Sequence, residues 1–209
     1  MSKPTKEQYL KEEIKHVDIS AINTTGLVDA MRQMSFSARD LARACDIFEM
    51  MLKDKDCTTV LTLAGSTSAG GCMQLYADMI KYNMIDVVVS TGASVVDMDF
   101  FEALGFKHYK GSPNVDDREL RELYIDRIYD TLIDEEQLQV CDMSVKAVAD
   151  ELEARPYTSR EFIREMGRWL TGHSKKKNSL IETAFQYNVP VFCPAFSDSS
   201  AGFGLVAHQ

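Results

Sequence analysis

The chain predicts an α/β fold, a parallel sheet flanked by helices, on two observations. Short apolar, β-branched runs at residues 58–63, 84–90 and 189–196 read as strands, and each breaks into small hydroxyl residues and glycine. Segments with helical spacing lie between the first two runs and before the third, which is the pattern of strands joined by crossover helices. In such a sheet the three small-residue loops fall on one edge and converge on one crevice.

Taken in order, residues 1–16 mix Lys and Glu with few apolar anchors and read as a solvated arm or a short surface helix. Asn23-Thr24-Thr25 precedes a short amphipathic segment, and a threonine ahead of Gly26-Leu27-Val28 is expected to cap it. From Ser37, Leu41, Ala44, Phe48 and Met51 recur at helical spacing, so this helix is expected to pack on the sheet. The strand Thr58–Leu63 then opens into Ala64-Gly65-Ser66-Thr67-Ser68-Ala69-Gly70-Gly71. That loop lacks both G-x-G-x-x-G and G-x-x-x-x-G-K-[ST], so it fits a plain strand-to-helix turn as well as an anion cradle. A helix over Gly71–Asn83 carries Cys72, Leu75, Tyr76 and Met79 on one face.

The second run, Met84–Ser90, is almost wholly apolar, as in a strand covered on both faces, and ends in Ser90-Thr91-Gly92-Ala93-Ser94. Asp97, Asp99 and Glu102 follow; Asp97 is placed to reach a ribose hydroxyl, and helix N-terminal acids account for the spacing equally well. Residues 104–111 read as a short strand or loop whose His108 fits a surface or hydrogen-bonded histidine better than a catalytic base. Asp116–Gln139 reads mostly as an amphipathic helix with an acidic face, followed by helices over Met143–Leu152, capped by Asp142 or Ser144, and Ser159–Leu170. Trp169 falls on an apolar stripe and reads as core. Lys175-Lys176-Lys177 fits a solvated turn better than a phosphate or acidic-partner site. A helix over Ser179–Tyr187 leads to the third strand, which ends in Ser197-Asp198-Ser199-Ser200.

Composition narrows the function classes. A length of 209 residues suits one domain with a sizeable core. The net charge of −9 disfavours nucleic-acid and anionic-membrane partners and leaves amines and basic proteins open. Five cysteines, with no C-x-x-C pair and no histidine cluster, fit reduced, buried thiols in a cytoplasmic protein rather than a zinc site. No apolar run approaches the roughly 20 residues of a membrane span, and the polar start is no signal peptide.

The segments Asn23-Thr24-Thr25-Gly26, Ala64–Gly71, Val87-Val88-Val89-Ser90-Thr91-Gly92-Ala93 running on to Asp97-Met98-Asp99-Phe100-Phe101, and Pro190-Val191-Phe192-Cys193-Pro194-Ala195-Phe196-Ser197-Asp198 together resemble the deoxyhypusine synthase family, in particular its bacterial and archaeal-like branch. The resemblance covers nearly everything from residue 17, and the last two segments carry it. It implies a single Rossmann-like NAD-binding domain, of which residues 17–209 would be the N-terminal portion, in a homotetramer with active sites at subunit interfaces. It further implies NAD-dependent transfer of an aminobutyl group from spermidine, through an imine on an enzyme lysine, to a lysine of a translation factor, with other amines used by bacterial relatives. Carried onto this chain, Ser66, Thr67 and Ser68 would approach the cofactor phosphates or ribose, Thr91, Gly92 and Ala93 would line the second loop, Asp97 would hold the adenosine ribose, and Asp198 would border the nicotinamide and substrate.

Two departures stand out. Phe203 occupies the neighbourhood of a second carboxylate that grips a protonated amine in the eukaryotic pattern, which favours the bacterial-type branch. The family's catalytic lysine is expected beyond Gln209, because Lys175–Lys177 precede the third strand and do not match it. The chain is therefore expected to be inactive alone. It is read either as a piece of an enzyme completed by further residues or a second chain, or as a non-catalytic NAD-binding or scaffolding subunit.

Overall fold

The computed structural model describes residues 4–208. Helix α1 (Lys6–Tyr9) is followed by an extended stretch and α2 (Thr25–Arg32), which starts where the Asn23 side chain accepts a hydrogen bond from the Thr25 N–H at 3.0 Å. Helix α3 (Ser37–Lys53) leads to β1 (Val60–Leu63), α4 (Met73–Lys81) and β2 (Val87–Ser90). A π-type turn over Ala93–Asp99 runs into α5 (Phe100–Ala103). Next come β3 (Tyr109–Lys110), α6 (Asp117–Glu122), β4 (Ile125–Ile128), β5 (Thr131–Asp134) and α7 (Glu135–Asp150). The chain then forms α8 (Ser159–His173), α9 (Leu180–Gln186), β6 (Val191–Phe192) and α10 (Ala201–Ala207).

The expected parallel sheet is present with three strands in the order β1-β2-β6. Val60 pairs with Val87 and Leu63 with Ser90, while Val88 and Val89 pair with Val191 and Phe192. This register brings the carboxyl ends of the three strands to one edge, as the sequence pattern requires. The central strand is the most enclosed: Val88 is wholly buried, amid Val95, Phe100, Phe101, Val145, Met166, Leu170 and Leu180. Among the described residues no helix is long and apolar enough to cross a membrane.

Several local expectations are corrected. Residues 117–139 are not one helix. After α6 the chain turns back at Tyr124 (φ +54°) and forms the antiparallel hairpin β4–β5, which β3 joins on the other side of β5. The hairpin closes through Tyr129, again at φ +54°. Leu132 and Ile133 of β5 are fully buried, so tertiary packing overrides the helical look of the acidic stretch. Helix α7 consequently starts earlier than expected and is capped by Asp134, not Asp142 or Ser144; the Asp134 carboxylate accepts from the N–H groups of Glu136 and Gln137.

Helix α3 does not pack on the sheet. Its main partner is α2, only Ala42 is buried, and Leu41, Ile47 and Met50 are at least half exposed. Cys45 on this helix is exposed, contrary to the expectation of buried thiols, whereas Cys141 and Cys193 are buried. Strand β1 is also more open than expected, with Val60 47% exposed at the sheet's edge. Helix α4 begins at Met73 rather than Gly71, because Gly71 sits at φ +96°, outside the helical region.

Candidate functional site

The edge where β1, β2 and β6 end opens into a cleft of about 520 Å³. It is walled by Ala64 and Gly65 after β1, by Thr91, Gly92 and Ala93 after β2, and by Ala195 and Asp198 after β6. Small side chains dominate, so backbone amides lie close to the space. The helical run from Ala93 to Ala103 starts at the cleft, and the free N–H groups and dipole of a helix start favour an anion there.

The sequence-predicted residues divide into two groups. Thr91, Gly92, Ala93 and Asp198 line the cleft directly. Ser66, Thr67 and Ser68 do not line it; Ser66 and Ser68 bond the first loop to the second, and Thr67 bonds it to α4. The Ser66 hydroxyl donates to the Ala93 carbonyl at 3.4 Å, Thr67 Oγ1 accepts from the Tyr76 hydroxyl at 2.8 Å, and the buried hydroxyls of Ser68 and Ser94 are 3.2 Å apart. Thr91 adds a further tie, donating from Oγ1 to the Gly65 carbonyl at 2.5 Å. Gly92 packs so closely on Ser199 that a Cβ there would collide with its side chain, which locks the second loop against the third.

Asp97 is not presented to the cleft as a ribose ligand. It is 4% exposed, and its two carboxylate oxygens accept the N–H groups of Ser200 (3.1 Å) and Ala201 (2.9 Å), capping α10. Burial pushes this carboxyl up to about 6, with the two backbone donors acting in the opposite direction. Asp99, fully buried on the same turn, does the equivalent for α9. It accepts from the Ser179 hydroxyl (2.7 Å) and the N–H groups of Leu180 (2.7 Å) and Ile181 (3.0 Å), and burial again raises it to about 6. The helix-terminal reading of these acids thus holds for helices distant in sequence rather than for their own.

A cluster that the sequence did not announce lies behind the second loop. Glu102, 1% exposed, accepts from His16 and His108 at 2.6 Å each and also pairs with Lys176. Burial alone would raise its carboxyl, but the hydrogen bonds from His108 and His16 prevail and hold it well below the usual carboxylate range. In the sequence nothing links His16 to a partner 86 positions away, whereas His108 lies only six residues from Glu102. Lys176 therefore serves Glu102, and Trp169 stacks on His173 at 3.8 Å while packing against the core at Phe100.

The donor set suits a dinucleotide. Glycines and alanines would admit close approach, a helix start would suit an anionic part, and the exposed Asp198 carboxylate has no hydrogen-bond partner among the described residues.

Comparison with known proteins agrees with this geometry. A sequence model described as deoxyhypusine synthase matches residues 26–209. Deoxyhypusine synthase-like proteins of Coxiella burnetii and Caulobacter vibrioides are each 62% identical over 205 residues, covering 98% of this chain and 58% and 56% of theirs. The corresponding protein of Chlorobaculum tepidum is 55% identical over 204 residues, with 98% and 58% covered. The chain thus spans little more than half the length of these relatives. A crystal structure assigned as a deoxyhypusine synthase from Entamoeba histolytica superposes with a TM-score of 0.64 at 20% identity, covering 93% of this chain and 66% of that one, and so shares its fold. With a family match running through all three loops and the cleft they enclose, the chain belongs to the deoxyhypusine synthase family.

Proposed function

We propose that this chain forms the cofactor-binding part of a deoxyhypusine synthase-like, NAD-dependent aminoalkyl transferase of polyamine metabolism. The observation that carries the reading is the convergence of three strand-end loops on one small-residue cleft at the start of a helix. In this reading NAD lies across Thr91, Gly92 and Ala93. Ser66 and Ser68 tie that loop to the first, Thr67 fastens the first loop to α4 through Tyr76, and Asp198 stands at the nicotinamide and substrate end, where a carboxylate suits a protonated amine. When bound, NAD would supply a hydride acceptor for oxidation of spermidine or a related amine and, as NADH, the hydride that reduces the product imine. No lysine lines the cleft among the described residues, so the imine-forming lysine is assigned to residues outside these 209, in keeping with the 58% of the Coxiella relative that the chain spans.

The expected partner is a second polypeptide, another copy or a chain that supplies the lysine. Support comes from the open outer edge of β1 and the unpacked apolar face of α3. A second reading, a non-catalytic NAD-binding or scaffolding subunit, is favoured by Phe203, which projects 73% exposed from α10 where an amine-gripping acid is otherwise expected.

Titration with NADH, followed by nicotinamide fluorescence, tests the cofactor assignment. Wild type is expected to bind, and Ala93→Asp to bind about tenfold more weakly or worse. An acid in a first helical turn leaves the helix intact while opposing the pyrophosphate. A wild type that does not bind NADH overturns the reading. Turnover of spermidine with NAD by purified residues 1–209 would contradict the placement of the lysine.

A further inference from the structure

Residues 12–17 run as a strap between the small antiparallel sheet and the first cleft loop. The Glu12 carbonyl accepts from the Lys110 N–H at 2.7 Å, Glu13 bridges to Tyr109, and the Ile14 N–H donates to the His108 carbonyl at 2.8 Å. At the other end the Val17 N–H donates to the Gly71 carbonyl at 3.2 Å. Between these points the Lys15 carbonyl passes Gly71 so closely that a Cβ there would lie 2.9 Å from its oxygen. With φ at +96°, Gly71 is suited to this crossing, and its neighbours tolerate no side chain.

The strap's ion pairs Glu12–Lys110 and Glu13–Lys107 are solvent-exposed at 2.6 and 2.7 Å, and such pairs hold little. Its one buried side-chain anchor is His16. The imidazole is 5% exposed and bonds through Nε2 to Glu102 at 2.6 Å, while Nδ1 is buried without a hydrogen-bond partner. A buried nitrogen without a partner is costly, and the bond to Glu102 on the other side of the ring offsets that cost. Glu102 lies in the last turn of the helical run that begins at Ala93 in the second loop. The strap thus connects the first loop, through Gly71, to the helix of the second loop, through His16, on the side away from the cleft.

We propose that His16 is a positioning residue for the cleft: by clasping Glu102 it draws the strap onto Gly71 and fixes the loop Ser66–Cys72 against the second loop. The consequence for NAD rests on the function proposed above; the clasp itself does not.

Hydrogen–deuterium exchange of the whole chain, with NADH titration alongside, tests this. In His16→Ala, amides of residues 64–72 are expected to exchange about tenfold faster while those of α8 keep their wild-type rates. His16→Gln, whose amide nitrogen can donate to Glu102, is expected to restore protection. Val17→Pro, at an exposed position, removes the N–H donated to Gly71 without touching Glu102 and is expected to loosen the same peptides; it carries the test if His16→Ala does not fold. NADH affinity is expected to fall with loop protection across the three variants. Unchanged exchange at 64–72 in a folded His16→Ala, or a rise shared equally with α8, overturns the proposal; if His16→Ala does not fold, unchanged exchange in Val17→Pro does. Failure of wild type to bind NADH would count against the cofactor assignment alone, because the exchange pattern still judges the clasp.

Discussion

Three acids within six residues, Asp97, Asp99 and Glu102, meet two different fates, and in each case the partners decide. Asp97 and Asp99 hold backbone amides of α10 and α9, and Glu102 holds two imidazoles and an ammonium. The pH dependence follows with opposite signs. Asp97 is raised from 3.8 to about 6 in the folded protein, so the native state binds the proton more tightly, and this contribution to stability is full below 3.8 and lost as pH rises through about 6. Between pH 7 and pH 5 wild type should therefore gain about 1 kcal/mol that Asp97→Asn cannot gain. Urea unfolding at the two pH values checks this as a gap between the proteins that widens at pH 5. Glu102 is lowered, so its contribution is present above 4.5 and declines as pH falls further. The sequence showed these carboxylates and their spacing. It did not show their partners, because Ala201 lies 104 positions from Asp97 and His16 lies 86 from Glu102.

Among the elements, the three parallel strands and their small-residue ends were legible because buried β-branched runs and glycine-bearing loops are local signals. So was α8, expected over Ser159–Leu170 from its helical spacing; the structure adds a Thr158–Glu161 capping box at its start. The β4–β5 hairpin was not legible. Asp126, Arg127, Asp130 and Asp134 give the stretch a helical charge pattern, and the burial that selects strands comes from α6 and the N-terminal residues Tyr9 and Leu10. Leu132 is wholly buried in that small core. Leu132→Ala is expected to cost about 3 kcal/mol, measured by chemical denaturation. Of the candidate site, the lining of the cleft was readable from the loops. The supporting ties made by Ser66, Thr67 and Ser68 depend on which way each hydroxyl turns, and sequence does not encode that locally.

At the scale of the whole molecule, two unfinished surfaces stand out. Strand β1 ends the sheet with Val60 half exposed, and α3 offers Leu41, Ile47 and Met50 to solvent beside α2. The periodicity of α3 was read correctly and its partner was not, since an apolar stripe states that something covers it without stating what. If a second polypeptide covers it, Ile47→Lys should convert the native assembly to smaller species in light scattering without lowering the unfolding midpoint of the separated chain. A wild-type chain that is already monomeric at micromolar concentration would contradict that arrangement.

The turn that bears Asp97 and Asp99 has a consequence for the order in which the protein is made. Both carboxylates are buried, yet the amides that receive them belong to residues 180–201. On the ribosome, the turn after β2 emerges some eighty to one hundred residues before its partners. Until then two charged groups bar it from its final burial, so the second loop can set only after the third has been synthesised. The binding edge is thereby completed late and as a unit, and a nascent chain halted before α9 carries a sheet whose central strand cannot yet close over its own core.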